Sequence, residues 1–100
     1  MNPDDAAYHI LLVEDDAVDV KTVQRAFKEN NISNPLAVAT NGEEALEMLQ
    51  NGVVNPSRLL ILLDINMPRM NGIEFLRHIR EDERLRHLSV VVLTTSNDDR

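Results

Sequence analysis

The chain has 100 residues, the size of a single domain. Its 17 acidic and 10 basic residues give a net charge of −7, which argues against a nucleic-acid-binding surface and against binding to an anionic membrane. Cysteine is absent, so disulfides and zinc–thiolate sites are excluded. The apolar runs are too short to span a membrane and the N-terminus is acidic, unlike a signal peptide, so we expect a cytoplasmic protein by exclusion.

The first half of the chain predicts two strands that alternate with two helices. The apolar run His9–Val13 predicts a strand, and a helix is predicted over 17–30 with Asp16 as its N-cap. A second, weaker strand is predicted over Leu36–Ala39. The next helix begins after Asn41, with capping-box spacing to Glu44, ends near Gly52 and has a buried stripe. The stripe is predicted to comprise Ala45, Leu46 and Leu49.

The second half repeats the alternation. The aliphatic run over 59–63 predicts a strand buried on both faces, and the strand ends at Asp64. A helix over 72–82 follows, and Ser89–Leu93 predicts a fourth strand that ends at Thr94. The apolar spacing of this helix predicts burial of Ile73, Leu76 and Ile79.

Strands that alternate with helices predict an α/β fold with a doubly wound parallel sheet. In such a sheet the carboxyl ends of all strands meet at one edge, which is where open α/β folds bind ligands. Glu14, Asp15, Asp64 and Thr94 all follow or end predicted strands. Clustered carboxylates repel one another unless a cation intervenes, and oxygen ligands suit Mg²⁺. The pattern therefore favours a cation-assisted site in which a carboxylate could attack a phosphoryl group.

Other interpretations stay open at this point. Taken singly, the acids at 14–16 could be a helix cap, and the hydroxyls at 94–96 could be turn residues. An Mg²⁺-dependent phosphatase with an aspartyl nucleophile is a rival, although many such enzymes have a second Asp as general acid two residues on. Asn66 occupies that position and cannot transfer a proton.

Three segments resemble the receiver domain of two-component response regulators, namely 10–16, 64–72 and 90–96. The block Asp-x-Asn-Met-Pro-x-Met-x-Gly at 64–72 is highly specific for that family, and the resemblance extends over 9–100. It implies a flavodoxin-like receiver fold, with residues 1–8 as a flexible leader and 9–100 as the domain.

The resemblance also implies the roles of the site residues. Asp64 would accept a phosphoryl group from a kinase phosphohistidine. Asp15 would bind Mg²⁺ directly, Glu14 mostly through water, and Asn66 through its backbone carbonyl, while Asp64 would complete the ligands. Thr94 would be the switch hydroxyl that moves toward the phosphoryl group.

The implied protein is a phosphorylated signalling component rather than an enzyme, with at most self-catalysed phosphotransfer and dephosphorylation. Its partner would be a sensor histidine kinase, and a weaker likeness points to single-domain regulators paired with phytochrome-type kinases. Nucleic acid and membrane are not expected partners, and a homodimer is compatible with the family. A receiver-like interaction module that is never phosphorylated is the alternative.

The family normally has five strands and five helices, and this sequence ends after the fourth predicted strand. The family's phosphate-binding lysine and its aromatic switch residue would lie further along. We expect the sequence to be part of a longer protein; a truncated form that assembles between chains and a natural short variant are the alternatives. A 100-residue form is expected to be oligomeric or poorly stable, because the fourth strand would expose 90–92 at a sheet edge.

Overall fold

The computed structural model describes residues 8–52, 56–64 and 72–93, and within them four parallel strands form one sheet. The parallel sheet is the one that the alternation of strands and helices predicts, and its strand order β2-β1-β3-β4 is that of the flavodoxin-like receiver fold that the family resemblance implies. Each neighbouring pair runs parallel, with Val13 level with Leu63 and Asp64 level with Leu93. The strands are β1 (His9–Val13), β2 (Leu36–Ala39), β3 (Leu59–Asp64) and β4 (Ser89–Leu93).

Three α-helices connect these strands in the described part of the chain: α1 (Ala17–Glu29), α2 (Gly42–Gln50) and α3 (Gly72–Glu81). A short 3₁₀ turn, Pro56–Arg58, leads into β3. None of the helices in the described ranges combines the length and the apolar character needed to cross a membrane. The three α-helices are the crossover connections between parallel strands that the sequence predicts.

Local sequence signals set the helix ends. The Asp16 carboxylate accepts the N–H of Val18 at 2.8 Å, which confirms Asp16 as the N-cap of α1. Asn41 caps α2 by accepting the N–H of Glu44 at 2.8 Å. A complete capping box would also have the Glu44 carboxylate accept the N–H of Asn41, and this part of the prediction is wrong. The Glu44 carboxylate instead accepts the N–H and the hydroxyl of Thr40, one residue earlier. This bond ties the start of α2 to the end of β2.

The hydrophobic core lies on the face of the sheet that α2 and α3 cover. Here Ala45 and Leu49 of α2 are buried as predicted, whereas Leu46 is half-buried. The opposite face carries α1, in which none of the 13 residues is buried. The prediction that β3 is buried on both faces is therefore wrong, because Leu60 and Leu62 are only half-buried. The buried cluster comprises Leu11, Val13, Ala39, Ala45, Leu49, Leu59, Ile61, Leu63, Phe75, Ile79, Leu85 and Leu88.

The predicted buried stripe of α3 is wrong at Ile73, whose side chain is 60% exposed. Ile79 is fully buried as predicted, Phe75 is fully buried in place of Ile73, and Leu76 is half-buried. At 100° per residue, Ile73 points about 160° away from Phe75, so both cannot face the sheet. The aromatic ring therefore sets the rotation of the helix.

At the other end of the sheet, β4 is the outermost strand of the described residues. Val91 and Val92 are 44% and 42% exposed, as the edge position predicts, whereas Val90 packs partly against the core. The expected leader lies almost wholly outside the described residues, and its last residue, Tyr8, accepts a hydrogen bond from Asn34 at 2.9 Å.

Candidate functional site

The carboxyl edge of the sheet brings three acidic side chains together. Carboxylate oxygens of Glu14, Asp15 and Asp64 all lie within 4.8 Å of one another. The strand register explains this proximity, because Val13 is level with Leu63 and the next residue on each strand is Glu14 or Asp64. The clustering of these three predicted site residues therefore follows from the parallel pairing of β1 and β3.

The three acids differ in burial. Glu14 and Asp64 are each only 2% exposed, whereas Asp15 is exposed. Glu14 still belongs to the sheet ladder, since its N–H donates to the carbonyl of Ala39 at 2.9 Å. Its carboxylate accepts the N–H of Asp16 at 3.1 Å, which holds it at the beginning of α1. Glu14 is thus buried and fixed by backbone hydrogen bonds, Asp64 is buried, and Asp15 faces solvent.

The electrostatics of the cluster disfavour three negative charges. The pKa of Glu14 is raised from 4.5 to about 8, mainly by burial. A hydrogen bond with Asp64 and the negative charge of Asp64 also raise this pKa, whereas the hydrogen bond from the Asp16 N–H lowers it. A cation beside these carboxylates would replace the proton that the neutral form of Glu14 holds. The donor set, made of oxygen atoms alone in the described cluster, fits Mg²⁺ or another hard divalent cation.

A fourth acid was not anticipated as part of this environment. The pKa of Asp19 is raised by burial and by the negative charges of Asp16, Asp64 and Asp15. Asp19 lies in the first turn of α1, and its spacing of three residues from the N-cap Asp16 is the signal that could have placed it near the cluster.

Two predicted site residues, Asn66 and Thr94, lie outside the described residues. Their proposed roles therefore stay predictions. Leu93, which directly precedes Thr94 in the sequence, is level with Asp64 in the pairing of β3 with β4. The described site thus consists of Glu14, Asp15 and Asp64, with Asp19 nearby.

Glu14→Gln is expected to stabilise the protein at pH 8 in the absence of divalent cations, by on the order of 1–2 kcal/mol. Because the folded-state pKa of Glu14 is raised, the folded protein keeps a proton that the unfolded chain releases from about pH 4.5 upward. The contribution of Glu14 to the free energy of unfolding therefore falls as pH rises from about 4.5 to about 8. Glutamine does not ionise, so the substitution removes this pH-dependent loss of stability.

Urea unfolding of both forms at pH 5, 6.5 and 8 in EDTA measures the effect. Glu47→Gln changes an exposed glutamate of α2 and serves as the matched control. A stability difference between Glu14→Gln and the parent that does not grow with pH would contradict the role of Glu14 in the cluster.

Comparison with known proteins agrees with this geometry. The family model for the response regulator receiver domain matches residues 10–100. Response regulator Rcp1 of Synechocystis is 39% identical over 93 residues, which cover 90% of this chain and 63% of Rcp1. The chain therefore spans less than two thirds of the length of that relative.

Two solved structures show the same fold. The Mn²⁺-bound form of response regulator Rcp1 has a TM-score of 0.76 and 37% identity, covering 92% of this chain and 69% of that one. The phosphorylated cyanobacterial phytochrome response regulator RcpA has a TM-score of 0.78 and 33% identity, covering 94% of this chain and 69% of that one. Family, fold and acidic cluster thus agree: the chain belongs to the response regulator receiver domains of two-component signalling systems.

Proposed function

We propose that Asp64 accepts a phosphoryl group from the phosphohistidine of a sensor histidine kinase. A carboxylate oxygen of Asp64 forms a bond to phosphorus while the bond from phosphorus to the imidazole nitrogen breaks. The electron pair of the broken bond stays on the imidazole, and the product on this chain is an acyl phosphate. The proposal places this transfer in the cytoplasm.

One observation carries the proposal: Asp64 lies at the end of a buried strand, with its carboxylate within 4.8 Å of two other carboxylates. A carboxylate held in a fixed position needs little reorganisation before attack. The neighbouring acids make a site that attracts a cation. Without the cation, the negative charges of these carboxylates would repel an anionic phosphoryl donor. A helix cap alone would not require buried acids from two different strands.

Glu14, Asp15 and Asp64 are the residues that would hold Mg²⁺, and the family resemblance adds the backbone carbonyl of Asn66. A bound divalent cation would offset the charge of the carboxylates and of the phosphoryl oxygens. The Mn²⁺-bound form of Rcp1 supports a divalent cation in a related protein, and phosphorylated RcpA supports phosphorylation in another.

Two further groups of this chain, a backbone N–H and a hydroxyl, have roles in the proposed phosphotransfer. The Asp16 N–H fixes the orientation of the Glu14 carboxylate. Thr94 is proposed to donate its hydroxyl hydrogen bond to a phosphoryl oxygen on Asp64 and so to change the surface that partners contact. The domain thus acts as a phosphorylation-dependent switch of protein–protein interactions, with at most self-catalysed phosphotransfer and dephosphorylation.

The proposed partner is a sensor histidine kinase, and phytochrome-type kinases are the favoured class. Support for that class comes from the similarity to RcpA, which is named as a phytochrome response regulator. A test of the function is phosphotransfer to the whole protein from a histidine kinase labelled on its phosphohistidine. We expect label that hydroxylamine removes, as it does from acyl phosphates; an absence of label with every donor would favour the interaction module that is never phosphorylated.

Removal of divalent cations is expected to slow phosphorylation by acetyl phosphate by at least about tenfold, because the clustered acids would then repel the anionic donor. Intact-mass spectrometry follows the added phosphoryl group in EDTA, and again after Mg²⁺ or Mn²⁺ is restored. Equal rates in EDTA and in Mg²⁺ would rule out the proposed role of the cation.

A further inference from the structure

A groove made of two neighbouring cavities runs along α1 on the side that faces β2. Its upper part has a volume of about 260 Å³ and is bordered by Val20, Gln24 and Val38. Its lower part has a volume of about 380 Å³ and is bordered by Gln24, Phe27 and Leu36. Gln24 borders both parts, and we call the two cavities together the α1–β2 groove.

The floor of the α1–β2 groove is apolar and accessible. Val20 and Phe27 are separated by seven residues, so they lie on one stripe of α1, yet both are only half-buried. Leu36 and Val38 of β2 are also half-buried, and Ile32 at the lower end is 41% exposed. Apolar surface that stays accessible beside a sheet can bind the side chains of a partner.

Two lysines border this groove, together with two acids at its upper end, in a chain whose net charge is −7. Lys21 borders the upper part and Lys28 the lower part. Glu14 and Asp15 belong to the acidic cluster at the upper end, so the positive charge is most effective toward the lower end. The complementary ligand for the lysines is a carboxylate, whereas a basic ligand would be attracted to the acidic upper end alone.

The backbone of β2 favours an extended ligand. β2 is the end strand of the described sheet, and the carbonyls of Pro35 and Ala39 accept the N–H groups of β1. Because backbone groups alternate in direction along a strand, the N–H and C=O groups of Leu36 and Val38 point away from β1. An extended peptide could pair with these groups while alternate side chains enter the groove.

We propose that the α1–β2 groove binds an extended acidic peptide segment of a partner protein. Aliphatic side chains of the peptide pack on Val20, Phe27 and Leu36, and its carboxylates pair with Lys21 and Lys28. This interaction does not require phosphorylation of Asp64, and it gives the domain a second contact surface that begins beside the acidic cluster and extends along α1.

A labelled peptide of four Glu-Val repeats tests the proposal by fluorescence anisotropy with the whole protein. It should bind at least about tenfold more tightly than peptides of four Lys-Val or four Glu-Ser repeats, which lack the carboxylates or the aliphatic groups. Amide chemical-shift changes should be confined to α1 and β2. Binding should weaken in 0.5 M NaCl, because exposed ion pairs are screened.

Combined Lys21→Glu and Lys28→Glu substitutions should weaken binding of the Glu-Val peptide by about tenfold. Arg25→Glu is the matched control, since Arg25 is an exposed cation of α1 that borders neither part of the groove, and it should change affinity less than about twofold. Equal losses in the two variants, or no Glu-Val binding at millimolar concentration, would overturn the proposal. Concentration-dependent dimerisation that the double variant abolishes would also overturn it, by identifying a second copy of the chain as the occupant.

Discussion

Replacement of Asp64 by asparagine is expected to lower phosphoryl incorporation by at least about 100-fold, from either a histidine kinase or acetyl phosphate. An amide lacks the anionic oxygen that attacks phosphorus, so no acyl phosphate can form at this position. The substitution keeps the size of a side chain that is 2% exposed, and it removes one charge from a repelling cluster. We therefore expect the variant to fold and to be at least as stable as the parent.

Asp82→Asn provides the matched control for this experiment. Asp82 follows α3 at the opposite edge of the sheet, where its carboxylate accepts the N–H of Arg84 at 2.8 Å. The control should incorporate label at the rate of the parent. Undiminished, hydroxylamine-sensitive label in Asp64→Asn would show that another residue is the acceptor.

Phe75→Ala is expected to lower the free energy of unfolding by about 3–5 kcal/mol. The Phe75 side chain is fully buried in the cluster between α3 and the sheet, and its removal leaves a cavity as well as a loss of apolar burial. A domain of this size is stable by only about 5–15 kcal/mol, so we expect the variant to be partly unfolded at 37 °C. Urea unfolding monitored by circular dichroism measures the change.

Ile73→Ala is the control in the same helix. Because Ile73 is 60% exposed, its truncation should alter the free energy of unfolding by no more than about 0.5 kcal/mol. This pair of variants separates the observed rotation of α3 from the rotation that the apolar spacing predicts. Comparable destabilisation by the two substitutions would contradict the observed packing.

The sequence is sufficient to predict the parallel α/β fold and the clustering of Glu14, Asp15 and Asp64, because both depend on strong local patterns. Runs such as Leu59–Asp64 have too many consecutive aliphatic residues for a solvated segment, and helices between them enforce parallel pairing. Parallel pairing in turn brings Glu14 to the level of Asp64, although 50 residues separate them in the sequence.

Other features depend on packing that no local pattern specifies. Ile73 and Phe75 are both apolar and two residues apart, so either could define the buried stripe of α3; contact with the sheet selects Phe75. Glu14 and Asp15 are adjacent acids, yet only Glu14 is held in the ladder by Ala39. The difference in burial between those two carboxylates, and hence the raised pKa of Glu14, requires the positions of neighbouring strands.

The measurement that tests the central claim most directly is the location of the phosphoryl group. The whole protein is phosphorylated in Mg²⁺ and reduced with borohydride, which converts a phosphorylated aspartate to homoserine, and the modified residue is found by peptide mass spectrometry. We predict modification at Asp64, with none at that position when EDTA replaces Mg²⁺. Modification at a different residue, or equal modification of Asp64 in EDTA, would contradict the assignment of Asp64 as the cation-dependent phosphoryl acceptor.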